Sequence, residues 1–484
     1  MANRIISLLK NKALYYVVSR YVTYGIAFIN SLLIAAKLGP YNMGVWGFLL
    51  LIINYFAQIH FGIGSSLNVL IVHNLNDENG KSRYINNALV LTSFLSVVVI
   101  LLYVFSRLYN FQIIEQYQAE KYLWMIAAIA IMQYFNIVFV TLLRIHNMIG
   151  RVAICQASQI LLQLLCISLF NGENLVYSLV CSYLFANIIN GIIAITARIL
   201  PKFILSDISI RVQHEIIKKG LFIFIYNSCF IFIVLTIRTL VSKYYSVSDF
   251  GIFTFSFSVA NSLILVLDSL SFLIYPKMIH KLSSSDSTVV SNTISNLRTY
   301  YISAANFLVF IALLLFPLLL YFLPQYKSGL MVLNTISLAT LVNAFSFGYT
   351  SMLVAKNQEK FLALSSLFVL IINIAIAIFM IKVLEVPFQF LSIAMMISYS
   401  VFCVITINKG RNVIKANDVY INNENKVLIK IGIPLLVAII ISFFHFEHLL
   451  FIPLILYLIL DYKDIIKIYS LVKNIIRNPE IFNL

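Results

Sequence analysis

Charged side chains are scarce in this sequence: they make up 11% of its 484 residues, whereas 61% of the residues are apolar. The mean hydropathy is +0.95. A soluble globular domain carries about 25% charged residues, so this composition excludes a soluble protein. It predicts a chain built from membrane-spanning segments.

Cysteines and catalytic motifs are also scarce. No metalloprotease, phosphate-loop or Ser-His-Asp pattern occurs. The cysteines fall in apolar segments and have no histidine or second cysteine at metal-ligand spacing: they are Cys155, Cys166, Cys181, Cys229 and Cys403. We therefore expect no disulfide framework, no metal centre and no cofactor. Any energy coupling is expected to use an ion gradient, of protons or sodium, or the flux of substrate.

Long continuous apolar runs dominate the sequence. A run of about 20 apolar residues wound as a helix matches the hydrocarbon thickness of a bilayer, and the absence of strict alternation excludes a strand barrel. The predicted segments, numbered one to fourteen, are residues 13–36, 44–72, 85–106, 122–143, 152–171, 175–197, 220–242, 250–275, 299–322, 329–354, 361–381, 388–407, 431–446 and 449–462.

The distribution of positive charge supports this topology. If the N-terminus is cytoplasmic, the cytoplasmic segments hold 26 of the 34 lysines and arginines, and the outer loops hold six. Cytoplasmic loops of membrane proteins carry such an excess. The formal net charge of +16 thus indicates contact with anionic lipid rather than nucleic acid. Both termini are predicted to be cytoplasmic.

One stretch occurs twice. Residues 37–44 read KLGPYNMG and residues 243–251 read KYYSVSDFG; from Gly44 and Gly251 the copies align without a gap, at an offset of 207, as far as Leu75 and Leu282. Six segments precede the second copy, so the halves have the same orientation. Such a duplication is typical of a transporter with one central site.

These observations predict an all-α integral membrane protein with about fourteen transmembrane helices. Two homologous six-helix bundles, residues 1–200 and 220–408, surround a central cavity and are joined by a cytoplasmic interfacial linker helix at residues 201–219. A cytoplasmic loop at residues 409–430 and an extra helix pair with a basic tail at residues 431–484 complete the chain.

Two ionisable residues lie inside the apolar segments at similar depth. Arg20 lies about 12 Å into segment one, where a central arginine costs about 2.5–3.5 kcal/mol unless it faces water or a partner. Asp268, in segment eight, is the only acid predicted to be buried, and it shares a polar face with Asn261. Arg20 is predicted to contact the substrate; a salt bridge with Asp268, a snorkelling Arg20 and a proton or sodium site at Asp268 remain open.

Further polar residues mark segments two and seven. His60, beside Gln58, is either a packing residue or a proton relay. Arg238 either reaches the outer interface or faces the cavity together with Asn227. The glutamines of segment five are expected to form interhelical hydrogen bonds. The predicted cavity set is therefore Arg20, Gln58, His60, Asn227, Arg238, Asn261 and Asp268.

Three short motifs carry a family resemblance. The link KLGPYNMG at residues 37–44 resembles the "LG-P-x-x-x-G" link between the first two helices of the polysaccharide-transporter branch of the multidrug/oligosaccharidyl-lipid/polysaccharide (MOP) exporter superfamily. Residues 61–65, FGIGS, and residues 236–238, TIR, with residues 248–251, SDFG, are similar to later stretches of that branch. O-antigen flippases of the Wzx type are closest in character.

The resemblance implies a flippase that moves an undecaprenyl-pyrophosphate-linked oligosaccharide across the bacterial inner membrane by alternating access, without enzymatic chemistry. It is expected to act beside a polysaccharide polymerase and a chain-length regulator. Two alternatives remain open. One is a drug or cation antiporter of the MATE type, which would need buried acids in both halves. The other is a membrane polysaccharide polymerase, which the short outer loops disfavour.

Overall fold

The computed structural model describes residues 12–73, 77–109, 111–284, 286–415, 418–444, 446–462 and 465–466, and these residues form helices and short connections without strands. The long apolar runs form the helices because a helix satisfies its own backbone hydrogen bonds where lipid offers none. Their bounds are α1 Lys12–Gln58, α2 Ile63–His73, α3 Glu78–Leu108, α4 Leu123–Ile145, α5 Ile149–Leu169, α6 Gly172–Thr196, α7 Ile210–Tyr244, α8 Val247–Leu282, α9 Ser287–Phe322, α10 Leu330–Ala344, α11 Tyr349–Ala355, α12 Glu359–Lys382, α13 Ser392–Val413, α14 Asp418–Phe443 and α15 Phe451–Leu460.

The protein is a multi-pass membrane protein. Ten helical regions of the described chain are long and apolar enough to cross a bilayer, and the pair α10 and α11, bent by 46°, adds an eleventh if it forms one span. Each predicted segment overlaps at least one of the helices α1 to α15, but α15 has only ten residues. The count of fourteen spans and the cytoplasmic placement of both termini stay predictions.

Three interruptions break the long helices. α1 bends at Gly39, whose φ of 67° and ψ of 172° lie outside the helical region, immediately before Pro40. α1 and α2 are separated by residues 59–62, where Phe61 and Gly62 have φ values of 47° and 74°. α10 and α11 are separated by residues 345–348, which end at Gly348 with a φ of 88°. Because a positive φ is strained for residues with a side chain, glycine favours these breaks.

The chain divides into two compact units, residues 25–254 (unit A) and residues 1–24 with 255–484 (unit B). This differs from the predicted bundles at 1–200 and 220–408, because α7 packs inside unit A. Gly220 on α7 approaches Gly62, and a side-chain carbon on Gly220 would lie 2.8 Å from the Gly62 carbonyl oxygen. Two adjacent glycines therefore permit the contact that assigns α7 to unit A.

The connection before α7 corrects the predicted linker helix at residues 201–219. Residues 201–209 contain only one short 3-10 turn, and residues 210–219 already belong to α7. Two buried asparagines on α3 hold this connection: the Asn87 amide donates to the Asp207 carbonyl at 2.8 Å and its oxygen accepts from the Ser209 N–H at 2.9 Å, while Asn86 donates to the Asp207 carboxylate at 3.2 Å. These side-chain bonds replace the backbone bonds of a helix.

The predicted loop at residues 409–430 is mostly helical. α13 continues to Val413 and α14 begins at Asp418. The segment was predicted to be a loop because it is polar, but its polar side chains bond to one another across the two helices, as described below. A polar segment between two apolar segments therefore need not be a loop, because its polar side chains can pair with one another across two helices.

Helices α3 and α9 begin with the same cap. Asp77 accepts a hydrogen bond from the Gly80 N–H at 3.0 Å, and Asp286 accepts one from the Thr288 N–H at 2.8 Å. An aspartate at this position satisfies one of the free N–H groups of the first turn. Hydrogen bonds from the Thr288 hydroxyl and N–H hold the pKa of Asp286 below its ordinary value. The caps are 209 residues apart, close to the offset of the duplicated stretch.

Candidate functional site

The duplicated glycines meet within unit A. A side-chain carbon on Gly44 would lie 2.9 Å from a methyl carbon of Val247 and would also collide with the Val247 carbonyl oxygen. A side-chain carbon on Gly251 would lie 2.7 Å from the Gly44 nitrogen and would collide with the Pro40 carbonyl oxygen. The repeated glycine is therefore required by the close crossing of α1 and α8, which we call the glycine crossing.

Arg238 lies next to this crossing. Its Nη2 donates a hydrogen bond of 3.0 Å to the carbonyl oxygen of Gly47. Gly47 itself has no room for a side chain, because an added carbon would lie 2.8 Å from the Thr254 methyl group. The guanidinium also lies 5.8 Å from the centre of the Phe250 ring, within reach of a cation–π contact. Arg238 thus joins α7 to the two helices of the glycine crossing.

Arg238 is only 3% exposed, which argues against the alternative in which its side chain reaches the outer interface. Its neighbours on α7 and α1 are also polar: the Tyr55 and Thr239 hydroxyls are hydrogen-bonded at 2.7 Å. The hydroxyl of Tyr183 bonds to Gln159 and Gln163, as predicted for the glutamines of segment five. Polar side chains in the interior of unit A thus join α1 to α7 and α5 to α6.

Replacement of Arg238 by methionine is expected to lower the free energy of unfolding by about 1.5–3 kcal/mol, the usual contribution of a hydrogen bond to a charged group. Methionine keeps most of the stem volume and removes the bond to Gly47. The measurement is thermal unfolding in detergent. Arg107→Met, at the exposed pair with Glu120, is the control and should change it by under about 1 kcal/mol. An Arg238→Met protein of unchanged stability that no longer transports would instead indicate a role in the cavity.

His60 lies at the break between α1 and α2. Its Nδ1 accepts a hydrogen bond of 3.1 Å from the Gly62 N–H, so the ring proton of the neutral form is assigned to Nε2. The ring contacts Phe224 edge-on at 5.1 Å, and the Tyr134 hydroxyl donates to the Phe56 carbonyl at 3.0 Å. His60 therefore has a local structural role: it satisfies a backbone N–H where the helix is interrupted.

The other predicted cavity residues are placed as follows. Arg20 is half-buried and its Nε donates to the Tyr24 hydroxyl at 3.0 Å. Gln58 and Asn261 are half-buried, and Asn227 is exposed while Arg238 on the same helix is buried. Gln58, Asn227, Arg238 and His60 belong to unit A, and Arg20, Asn261 and Asp268 belong to unit B. The backbone of Asp268 lies in α8, but its side chain is outside the described residues.

A second charged cluster, in unit B, was missed by the sequence analysis. Glu424 on α14 forms salt bridges with Arg298 on α9 and, at 2.8 Å, with Arg411 on α13. The Tyr349 hydroxyl donates to the same Glu424 oxygen at 2.9 Å, and Arg411 also donates to Asn425 at 2.7 Å. We call these residues the Glu424 cluster. They join α9, α11, α13 and α14.

The Glu424 cluster is buried and is positioned by two glycines. The side chains of Arg298 and Glu424 are 5% and 7% exposed. A carbon added to Gly348 would lie 2.9 Å from Cγ of Arg298, and one added to Gly410 would collide with the Tyr349 ring. Both positions therefore leave space for cluster side chains.

Glu424 corrects the expectation that Asp268 is the only buried acid, and Asp461 is buried as well. Arg298 was placed one residue outside segment nine, and Glu424 was assigned to a loop. The sequence did contain a signal: Arg411 and Glu424 flank a short polar stretch between two apolar segments, which is compatible with two helices paired at their ends. No group of three or more possible metal ligands occurs among the described residues.

No family model matches the sequence, and no curated protein matches it. Solved structures do match in fold. The inward closed conformation of the lipid II flippase MurJ superposes with a TM-score of 0.70 over 95% of this chain and 99% of that chain, at 14% sequence identity. The fold is that of MurJ.

Multidrug transporters share the fold to a lesser extent. An outward-facing multidrug resistance MATE family transporter of the MOP superfamily has a TM-score of 0.53 over 85% of this chain and 96% of that chain, at 14% identity. A MATE structure in complex with MaD5 gives 0.56 over 84% and 98%, also at 14% identity. The chain therefore shares its fold with structures of a flippase and of multidrug transporters.

Proposed function

We propose that the protein is a flippase that moves an undecaprenyl-pyrophosphate-linked oligosaccharide from the cytoplasmic to the periplasmic leaflet of the bacterial inner membrane. The oligosaccharide would be a unit of O-antigen, capsule or exopolysaccharide, delivered to a polymerase and its chain-length regulator. Alternating access would be coupled to a proton or sodium gradient, and no enzymatic step is involved.

The extent of the MurJ superposition carries this proposal. A protein named as a lipid II flippase aligns with 95% of this chain, whereas the multidrug transporters align with 84–85%. The fold of that flippase therefore extends over nearly all of this chain. The duplicated stretch and the charge asymmetry are typical of such a transporter.

The charge of the chain suits a diphosphate cargo. A pyrophosphate that leaves the headgroup region needs cationic partners, and a guanidinium provides a planar fork that matches phosphate oxygens. Arg20 is half-buried in α1, a helix long enough to cross the bilayer. We assign it the role of a contact for the pyrophosphate or for an acidic sugar.

A MATE-type antiporter is the second candidate. Buried carboxylates in both halves would favour it, because a cation needs an anionic site in low dielectric. The described side chains of unit A include no buried aspartate or glutamate, and the two buried acids among the described side chains of unit B, Glu424 and Asp461, belong to the C-terminal part of the chain. The distribution of acids thus favours the flippase.

Complementation tests the proposal. Expression in a strain that lacks its O-antigen flippase but retains the polymerase and ligase is expected to restore surface polysaccharide, and the empty vector is the control. Purified protein in proteoliposomes should expose a fluorescent undecaprenyl-pyrophosphate oligosaccharide to an external lectin. Efflux of cationic drugs in exchange for protons, without exposure of the lipid, would support the antiporter and overturn the proposal.

A further inference from the structure

The Glu424 cluster lies against the break between α10 and α11. Nη2 of Arg298 donates a hydrogen bond of 3.2 Å to the carbonyl oxygen of Phe345, the first residue after α10. The plane of the Tyr349 ring, at the start of α11, lies under the same guanidinium at 4.9 Å. Arg298 therefore contacts the chain on both sides of the break.

We propose that Glu424 is a positioning residue for transport: it holds Arg298 against the Phe345 carbonyl and so sets the conformation of the break between α10 and α11. This rests on the proposed transport function, although its structural part is tested independently below. Glu424 acts through Arg298 and is not a contact for the cargo.

The energetics of the cluster favour this role over simple stabilisation. Desolvation of two guanidiniums and a carboxylate costs several kcal/mol per ion, and apolar residues of similar volume often stabilise a protein as well or better. A polar cluster provides what an apolar core does not: directional bonds of fixed length to one carbonyl, one hydroxyl and one amide. It therefore specifies the geometry of the break.

The geometry of the break between α10 and α11 must be fixed by neighbouring side chains. Residues 345–348 leave the helical path, and Gly348 has a φ of 88°. Carbonyls at a helix end lose their intrahelical donors, and a membrane helix tolerates such an interruption only where neighbours re-satisfy the backbone. Arg298 supplies one donor, and Glu424 neutralises the charge that makes this donor costly to bury.

The cluster also joins the helix pair outside the duplicated unit to the helices inside it. Glu424 lies on α14, whereas Arg298, Tyr349 and Arg411 lie on α9, α11 and α13. A further bond joins α15 to α9: the Tyr457 hydroxyl donates to the Ser303 carbonyl at 2.8 Å. Through the Glu424 cluster, α14 is thereby connected to the broken helix.

Two variants of the full-length chain separate positioning from stabilisation. Glu424→Gln keeps the size of the side chain and removes its charge. The triple variant with Arg298→Met, Glu424→Leu and Arg411→Met replaces the cluster by apolar side chains, which is expected to preserve the fold. Glu120→Gln, at the exposed pair with Arg107, is the matched control for loss of a carboxylate.

Hydrogen exchange and lipid flipping are measured on each purified variant. In Glu424→Gln, amide exchange in residues 345–355 should rise by about tenfold or more, because a hydrogen bond to a charged group is weakened. The maximal flipping rate should fall with the half-saturating cargo concentration unchanged. The triple variant should melt near the wild-type temperature but flip slowly, whereas the control should match the wild type in all respects.

Three outcomes would overturn the inference. A triple variant that flips lipid at the wild-type rate would show that the cluster only stabilises the fold. Unchanged exchange at residues 345–355 in Glu424→Gln would remove the link to the break. A raised half-saturating concentration at full maximal rate would make Glu424 a cargo contact. If the wild type itself flips no lipid, the proposed function fails, and the exchange experiment still decides the structural part.

Discussion

Gly251→Val is expected to abolish accumulation of folded protein in the membrane. The carbon atoms of a valine there would occupy the position of the Pro40 carbonyl and would lie against the Gly44 nitrogen. Both are backbone atoms, so neither can rotate away. Gly251→Ala should already lower the free energy of unfolding by about 1–3 kcal/mol, the usual cost of overpacking. Fluorescence-detected size exclusion and thermal unfolding measure both effects.

Gly191 provides the matched control. It also lies in a helix, α6, but a carbon added there has no atom within 4 Å. Gly191→Val should therefore accumulate and unfold like the wild type. A Gly251→Val protein that accumulates normally would contradict the close approach of α1 and α8 at the glycine crossing.

Arg20→Ala is expected to abolish surface polysaccharide in the complemented strain while the amount of protein in the membrane stays normal. Loss of the guanidinium removes a charged contact for the pyrophosphate, and the remaining side chain can be accommodated in α1. Arg20→Lys should retain partial function, because lysine keeps the charge and loses the bidentate geometry. Tyr24→Phe removes the hydroxyl that Arg20 bonds and is expected to have a weaker effect.

A double variant tests whether Arg20 only neutralises Asp268. Removal of one partner of a buried ion pair costs more than removal of both. Arg20→Ala combined with Asp268→Ala should therefore restore export if the pair is purely structural, and it should remain inactive if Arg20 contacts the cargo. A fully active Arg20→Ala protein would contradict the assignment.

The helices were predictable from sequence because a run of apolar residues is a long and redundant signal. The breaks at residues 59–62 and 345–348 were not, since each depends on a few backbone angles and on one side chain. His60 lies within the first break, and Arg298 reaches the second from α9. The repeated glycine was recognised as a motif, but only the structure explains it, by placing Gly44 and Gly251 against each other's helices.

The sequence indicates individual charged residues better than their partners. Arg238 is recognisable in the sequence as a charge within an apolar segment, but its partner is the carbonyl of Gly47, which side-chain chemistry does not encode. Glu424 was missed because local polarity favours a loop and its partners lie 13 and 126 positions away. Buried charges whose partners are distant in sequence are found only once the helices are packed.

The glycine crossing has the geometry of an isologous interface. Val247 lies four residues before Gly251, and Pro40 lies four residues before Gly44. Gly44 lies against the Val247 carbonyl in the same way as Gly251 lies against the Pro40 carbonyl, so the two contacts are equivalent. A half-length ancestor would have formed this contact between identical chains. In that homodimer, residue 47 of one subunit would face residue 47 of the other on the twofold axis. This chain has glycine at 47 and threonine at the equivalent position 254. Two identical subunits could not supply two different residues there. The Thr254 side chain thus fills a space beside Gly47 that two such side chains would overfill.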